Sequence, residues 1–217
     1  MEETSHPWEP VNLFQLQKDT TGICPAGDWF DIRGHVVGLY WLARNICWRD
    51  PRMTAPMRPP LVVEIGTREG PSTLAFLQAM REAGGKLISI ECDEAAAGVT
   101  ASVVEKHCLR PWWEIVIGRS EEVHGDIPGE IDVLMIDGDH GHDQVKLDCD
   151  LYTPKVRVGG LALFHDYYSD VDCQRVPVAE PYPSYASIPV EGLRASGRWE
   201  VVVLPWSFGL AICRKIY

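Results

Sequence analysis

From Leu61 onward the chain alternates short, nearly continuous apolar runs with helix-like stretches, and each run ends in polar residues. Continuous apolar runs are what parallel strands covered on both faces require, and the stretches between them are long enough for crossover helices. Runs at 61–65, 86–91, 113–117 and 131–136 read as the first four strands. Gly159-Gly160 reads as a turn into a fifth at 161–164, and runs at 199–204 and 210–214 complete seven. The expected fold class is α/β, a three-layer sandwich around a mostly parallel seven-stranded sheet. Pro71 suits the first turn of the helix after the first strand, and Gly84-Gly85 ends it.

Residues 1–60 have another character: a loop-like start, a helical stretch over 29–48 carrying Val36, Val37, Tyr40, Trp41 and Leu42, then a proline-rich basic linker. They read as a helical N-terminal cap on a core of residues 61–217. With 217 residues and 46% hydrophobic content, one domain spanning 1–217 is expected rather than two. The proline- and tyrosine-bearing stretch 169–188 is too long for a simple connection and reads as a substrate lid or an irregular insertion.

A net charge of −11 argues against electrostatic capture of nucleic acid or an anionic membrane, which leaves a small molecule as the expected partner. No stretch approaches the roughly 18 apolar residues of a membrane span, and the acidic start lacks the features of a signal peptide. Seven cysteines, an odd number without a CxxC pair, read as reduced thiols, so the expected location is cytoplasmic. Apolar residues on the N-terminal helix are compatible with a homodimer and equally with packing on the sheet.

In an open parallel sheet, ligands bind beyond the carboxyl ends of the strands where the winding reverses. The loop after the first strand is Gly66-Thr67-Arg68-Glu69-Gly70. Its glycines let backbone approach a ligand, and the following helix start offers N–H groups to an anion. Such a turn also occurs without a ligand. Glu91, closing the second strand, can accept hydrogen bonds from both hydroxyls of a ribose, which points to an adenosine-containing cofactor. A nicotinamide dinucleotide is disfavoured, because Arg68 and Pro71 stand where a GxGxxG fingerprint has glycines.

The segments Val63-Glu64-Ile65-Gly66-Thr67-Arg68-Glu69-Gly70 and Ile90-Glu91-Cys92-Asp93 resemble the glycine-rich and acidic motifs of class I methyltransferases, over residues 61–217. Ile136-Asp137-Gly138-Asp139-His140 and the stretch from Gly159 to Tyr167 are similar to the small O-methyltransferases that include macrolide-sugar and cephalosporin-pathway enzymes. The resemblance implies an antiparallel last strand and S-adenosylmethionine lying across Gly66, Thr67, Gly70 and Ser72. Glu91 would hold the ribose, and Glu64 and Cys92 complete the cofactor set. Arg119 and Ser120 would contact adenine, and Asp137 would lie beside the methyl group.

Topology brings Asp137, Asp139, His140, His165 and Asp166 to one rim of the sheet, a cluster suited to a divalent cation. The resemblance implies a cation on Asp137, His165 and Asp166 that grips an acceptor hydroxyl. His165 stands where the sugar-modifying relatives carry a second acid, which leaves Mg²⁺, Mn²⁺ or no ion open. His140 is the candidate base, since an imidazole titrates near neutral pH, with Asp137 as its catalytic partner. The alternative is that His140 caps the next helix or orients Asp139. Trp112, Trp113, Tyr167, Tyr168, Tyr182 and Tyr185 read as walls of an acceptor pocket, with core packing an equal explanation for the two tryptophans. Two rival functions remain at this level: a non-catalytic module binding S-adenosylmethionine or S-adenosylhomocysteine, and a metal-dependent hydrolase or hydroxylase.

Overall fold

The computed structural model describes residues 32–47, 58–168 and 186–217. The first 31 residues expected as cap, the linker at 48–57 and most of the expected lid lie outside these. Seven strands form one sheet: β1 (Leu61–Ile65), β2 (Lys86–Glu91), β3 (Trp113–Ile117), β4 (Ile131–Ile136), β5 (Val156–Phe164), β6 (Trp199–Leu204) and β7 (Leu210–Lys215). Their order is β3-β2-β1-β4-β5-β7-β6. All pairings from β3 to β5 are parallel, and β7 runs antiparallel to both of its neighbours. The winding therefore reverses between β1 and β4, where a ligand crevice is expected.

The longer helices among the described residues are α1 (Val36–Cys47, preceded by a 3-10 turn at Ile32–His35), α2 (Pro71–Ala83), α3 (Glu94–Lys106), α4 (His142–Tyr152) and α5 (Ser187–Ala195). One core lies between the sheet and α1, α2 and α3; the other lies beneath α4 and α5. β1 and β4 are buried along their whole length because both faces are covered, which explains their lack of apolar–polar alternation. The first ten residues of α2 are likewise all buried, since α1 covers the side turned from the sheet. Tyr40 and Arg44 of α1 clamp Glu82 of α2 at 3.0 and 2.9 Å.

Sequence punctuation explains the helix limits. Gly70 at φ 86° precedes Pro71 at the start of α2, and Gly84 at φ 66° ends it with its N–H on the Met80 carbonyl. Asp93 caps α3 by accepting from Ala95 N–H at 2.7 Å. One expectation is corrected. β5 begins at Val156, five residues before the expected start, and Gly159-Gly160 is a bulge inside it rather than the turn before it. Gly160 is needed there because a Cβ would lie 3.0 Å from the carbonyls of Arg157 and Asp132.

The foot of the sheet carries a buried charge. Asp132 accepts from Leu61 N–H at 2.8 Å, Arg58 at 2.8 Å and Arg157 at 2.6 Å, and these partners hold its carboxyl below the usual range despite burial. Asp132→Ala would strand two arginines and a buried strand N–H, so a loss of about 3 kcal/mol in unfolding free energy is expected from urea titration. A loss below about 1 kcal/mol would contradict this account.

Candidate functional site

The loops after β1 and β4 meet at the switch point. Gly66, at φ 87°, lies so close to the neighbouring loop that a Cβ would sit 2.3 Å from the Asp137 carbonyl. The contact is tied by Asp137 N–H donating to the Ile65 carbonyl at 3.0 Å and Gly66 N–H donating to the Ile90 carbonyl at 2.9 Å. Only glycine meets both requirements.

Above this contact opens a cavity of about 480 Å³, lined by Gly66, Thr67, Ser72, Glu91, Cys92, Arg119, Ser120, Asp137 and His140 among others. That volume is in the range of small-molecule sites. Glu91 is buried at its wall and accepts from the N–H groups of Thr67, Arg68 and Asp93 at 3.0 to 3.2 Å. Those amides hold its carboxyl below the usual range against the opposing effect of burial. It stays ionised, so both of its oxygens can accept.

Two expected cofactor contacts lie behind the wall instead. Glu64 is fully buried, and its carboxyl accepts from the hydroxyls of Ser72, Thr73 and Ser89 at 2.5, 2.7 and 2.8 Å. The strand period turns its side chain away from the cavity and under the start of α2. Gly70 serves as the left-handed cap of α2 against Thr100. Sequence reading missed Asp93, Glu121, Gln144 and Asp148, which also line the cavity. Gln144 and Asp148 are one helical turn apart on α4, and both bond to each other and to Ser120. Their spacing was the available signal. Trp113, by contrast, is buried in the core and donates to Ser89 at 2.9 Å.

At one end the cavity reaches the acidic rim. His165 Nδ1 lies 3.2 Å from Asp137 Oδ1 and 3.3 Å from Asp166 Oδ1. Burial lowers the proton affinity of this imidazole, but the two carboxylates raise it well above the usual value. His140 Nε2 lies 3.1 Å from Asp166 Oδ2. Gly141, not His140, is the cap residue of α4. Asp139 also lines the cavity and accepts from Gly141 N–H at 2.7 Å. Asp166 holds a left-handed φ of 53°, a local strain that aims its two oxygens at different imidazoles.

A cation suits this rim. Asp137, His140 and Asp166 each present a ligand atom within 4.8 Å of the others. His165 Nδ1 is buried and aimed between the carboxylates without a well-aligned hydrogen bond. The donor set of carboxylates and imidazole is one that divalent ions take.

Residues 63–167 match the family model described as a methyltransferase domain. Among curated relatives, O-methyltransferase hkm8 of Aspergillus hancockii is 29% identical over 80 residues, 37% of this chain and 32% of that protein. The rhamnosyl O-methyltransferase of Mycobacterium tuberculosis is 24% identical over 134 residues, 58% of this chain and 53% of that protein. The matched part thus spans about half the relatives' length or less. Among solved structures, the S-adenosylhomocysteine-bound Podospora anserina methyltransferase PaMTH1 superposes with a TM-score of 0.69 at 17% identity, covering 96% of this chain and 89% of that one. The fold is the Rossmann-like α/β fold of that methyltransferase structure. Residues 63–167 thus carry the pattern of a methyltransferase domain.

Glu64 makes the cofactor loop sensitive to pH. Burial raises its carboxyl to about 7, from 4.5 when exposed. A carboxyl raised in the folded state contributes most below pH 4.5 and loses that contribution as pH climbs to about 7. Glu64→Gln removes the titration. Melting curves at pH 5 and 8 are expected to shift by roughly 3 kcal/mol in the variant's favour relative to the natural protein. A difference that does not change with pH would refute a raised Glu64.

Proposed function

We propose that the protein transfers the methyl group of S-adenosylmethionine to a hydroxyl of a small-molecule acceptor. The observation that carries this reading is that one cavity joins the Gly66 loop and Glu91 to Asp137 and His140, beside which Asp166 completes the rim. Glu91 accepts from the ribose hydroxyls, Ser72 and the start of α2 face the amino-acid end, and Ser120 and Arg119 flank the adenine. The curated relatives are named as O-methyltransferases, which supports oxygen as the acceptor atom.

In this mechanism the acceptor oxygen attacks the methyl carbon as the carbon–sulfur bond breaks, and S-adenosylhomocysteine leaves. His140 takes the hydroxyl proton, with Asp166 at 3.1 Å orienting its ring and stabilising the imidazolium. Asp137 stands at the cavity end where acceptor and methyl meet. A divalent cation, Mg²⁺ or Mn²⁺, held by Asp137, His165 and Asp166 would lower the pKa of the acceptor hydroxyl. Holding the two reactants in line supplies much of the acceleration.

No described helix is long and apolar enough to cross a membrane. The net charge of −11 supports a small-molecule partner rather than nucleic acid, and the free cysteines among the described residues fit a cytoplasmic setting. A homodimer through the exposed face of α1 is part of the same proposal, on the half-exposed Trp41.

Incubation with methyl-labelled S-adenosylmethionine and a panel of hydroxyl acceptors tests the reading. His140→Ala is expected to lower kcat by about 10²- to 10⁴-fold while changing cofactor affinity far less. Glu91→Ala is expected to abolish measurable cofactor binding in calorimetry. If the natural protein takes up no S-adenosylmethionine, with or without divalent ions, the proposal is wrong.

A further inference from the structure

The loop between β1 and α2 is bent where its sequence resists bending. Gly70 N–H donates to the Thr67 carbonyl at 2.8 Å, which closes a tight turn over Thr67-Arg68-Glu69-Gly70. Arg68, second in that turn, has a left-handed φ of 48°. Glycine is the ordinary occupant of such a position, because a side chain there crowds its own backbone. The turn therefore has to be held from outside.

Both peptide groups of Arg68 are held. Its N–H donates to Glu91 Oε2 at 3.2 Å, and the same oxygen accepts from Thr67 N–H at 3.0 Å and Thr67 Oγ1 at 3.1 Å. Its carbonyl accepts from Thr100 Oγ1 at 2.8 Å. Thr100 lies in the middle of α3 and is fully buried. A hydroxyl in mid-helix ordinarily bonds back to its own helix, as Ser102 does to the Gly98 carbonyl at 3.0 Å. Thr100 instead reaches out to the loop. Each hydroxyl has one proton: that of Thr67 goes to the Glu91 carboxylate, and that of Thr100 goes to the Arg68 carbonyl, with Thr67 Oγ1 at 3.3 Å beside it. A Cβ on Gly70 would come within 3.1 Å of the Thr100 methyl, so the same side chain also closes on the far end of the turn. With three donors on Oε2, the other oxygen of Glu91, which accepts from Asp93 N–H at 3.0 Å, is the one left with capacity for a ligand hydroxyl.

We infer that Thr100 is a positioning residue for the cofactor: by fixing the Arg68 carbonyl it keeps the Thr67 and Arg68 amides on Glu91 Oε2, which presents Glu91 Oε1 to the ribose hydroxyls. Thr100 does not itself line the cavity, so its effect reaches a ligand only through the loop. Without its hydroxyl the Arg68 carbonyl would face a methyl group, the left-handed turn would relax, and the two amides would swing off the carboxylate. The inference rests on the S-adenosylmethionine reading for the identity of the ligand, and on hydrogen bonds within the chain for the role of Thr100.

The test is calorimetric titration of the full chain with S-adenosylhomocysteine, in the natural protein, Thr100→Val and Thr100→Ser. Thr100→Val keeps the shape and loses the hydroxyl, and is expected to weaken binding about tenfold at unchanged stoichiometry. Thr100→Ser keeps the hydroxyl and is expected to stay within about threefold of the natural protein. A residue that only supported the fold would lower the binding-competent fraction, and with it the stoichiometry, while leaving Kd alone. Asparagine tolerates left-handed backbone, so in an Arg68→Asn background the Thr100→Val penalty should fall below about threefold. Equal affinity of Thr100→Val and the natural protein, equal weakening in Thr100→Val and Thr100→Ser, a fall in stoichiometry alone, or a full penalty in the Arg68→Asn background would each overturn the inference. Should Thr100→Val fail to fold, Thr100→Ser against Thr100→Ala, which differ by the hydroxyl alone, decides in its place. No binding to the natural protein sinks the cofactor reading and this inference with it, whereas natural binding that Thr100→Val leaves intact sinks only this one.

Discussion

The contact between Gly66 and the Asp137 carbonyl is the constraint on which the site depends. It fixes the distance between the β1 and β4 loops at the one place where the sheet's winding reverses. On one side of it stand the amides that hold Glu91, and on the other the carboxylate of Asp137. A side chain at position 66 would part the two loops and separate the cofactor cavity from the acidic rim. A parallel sheet tolerates this closeness because its remaining length is covered on both faces and cannot yield.

The rim itself is an electrostatic balance. Two carboxylates face one buried imidazole, and the pair calls for positive charge between them, whether a proton on Nδ1 or a metal ion. His35 illustrates the opposite response: burial first, and then His165, push its imidazole down to about 4, so it stays neutral. Two histidines sharing one carbonyl, that of Ser207, thus shift in opposite directions, because two carboxylates lie within 3.3 Å of His165 whereas burial dominates at His35. The β6–β7 turn that supplies the carbonyl is remote in sequence from both loops at the switch point, and the antiparallel β7 returns it to the same rim.

Much of the architecture was legible before any coordinates. Continuous apolar runs located six strands closely, and Pro71 with Gly84 bounded α2 within the correct turn. β5 was read five residues short because Gly159-Gly160 signals a turn and a bulge equally; the choice depends on the crowding against Asp132 in the neighbouring strand. Glu64 was read as a cofactor contact because it lies in the motif, but alternation along β1 sends its carboxyl beneath α2 to three hydroxyls. Gln144 and Asp148 went unnoticed because a polar pair on a helix looks like a solvated face until the helix is docked.

The sequence alone determined the α/β class, the loop that cradles a ligand, the acid that closes β2 and the set of acids and histidines at the strand ends. These follow from local patterns: periodicity, glycine placement and the polarity change at each strand terminus. Only the tertiary structure decided which of those side chains converge and through which atom. The oxygen that Asp166 gives to His140, the nitrogen that His165 gives to the rim and the carbonyl of Ser207 behind it depend on backbone angles and on strands far apart in the chain. No local pattern encodes such directions, because they arise where separate elements are packed against one another.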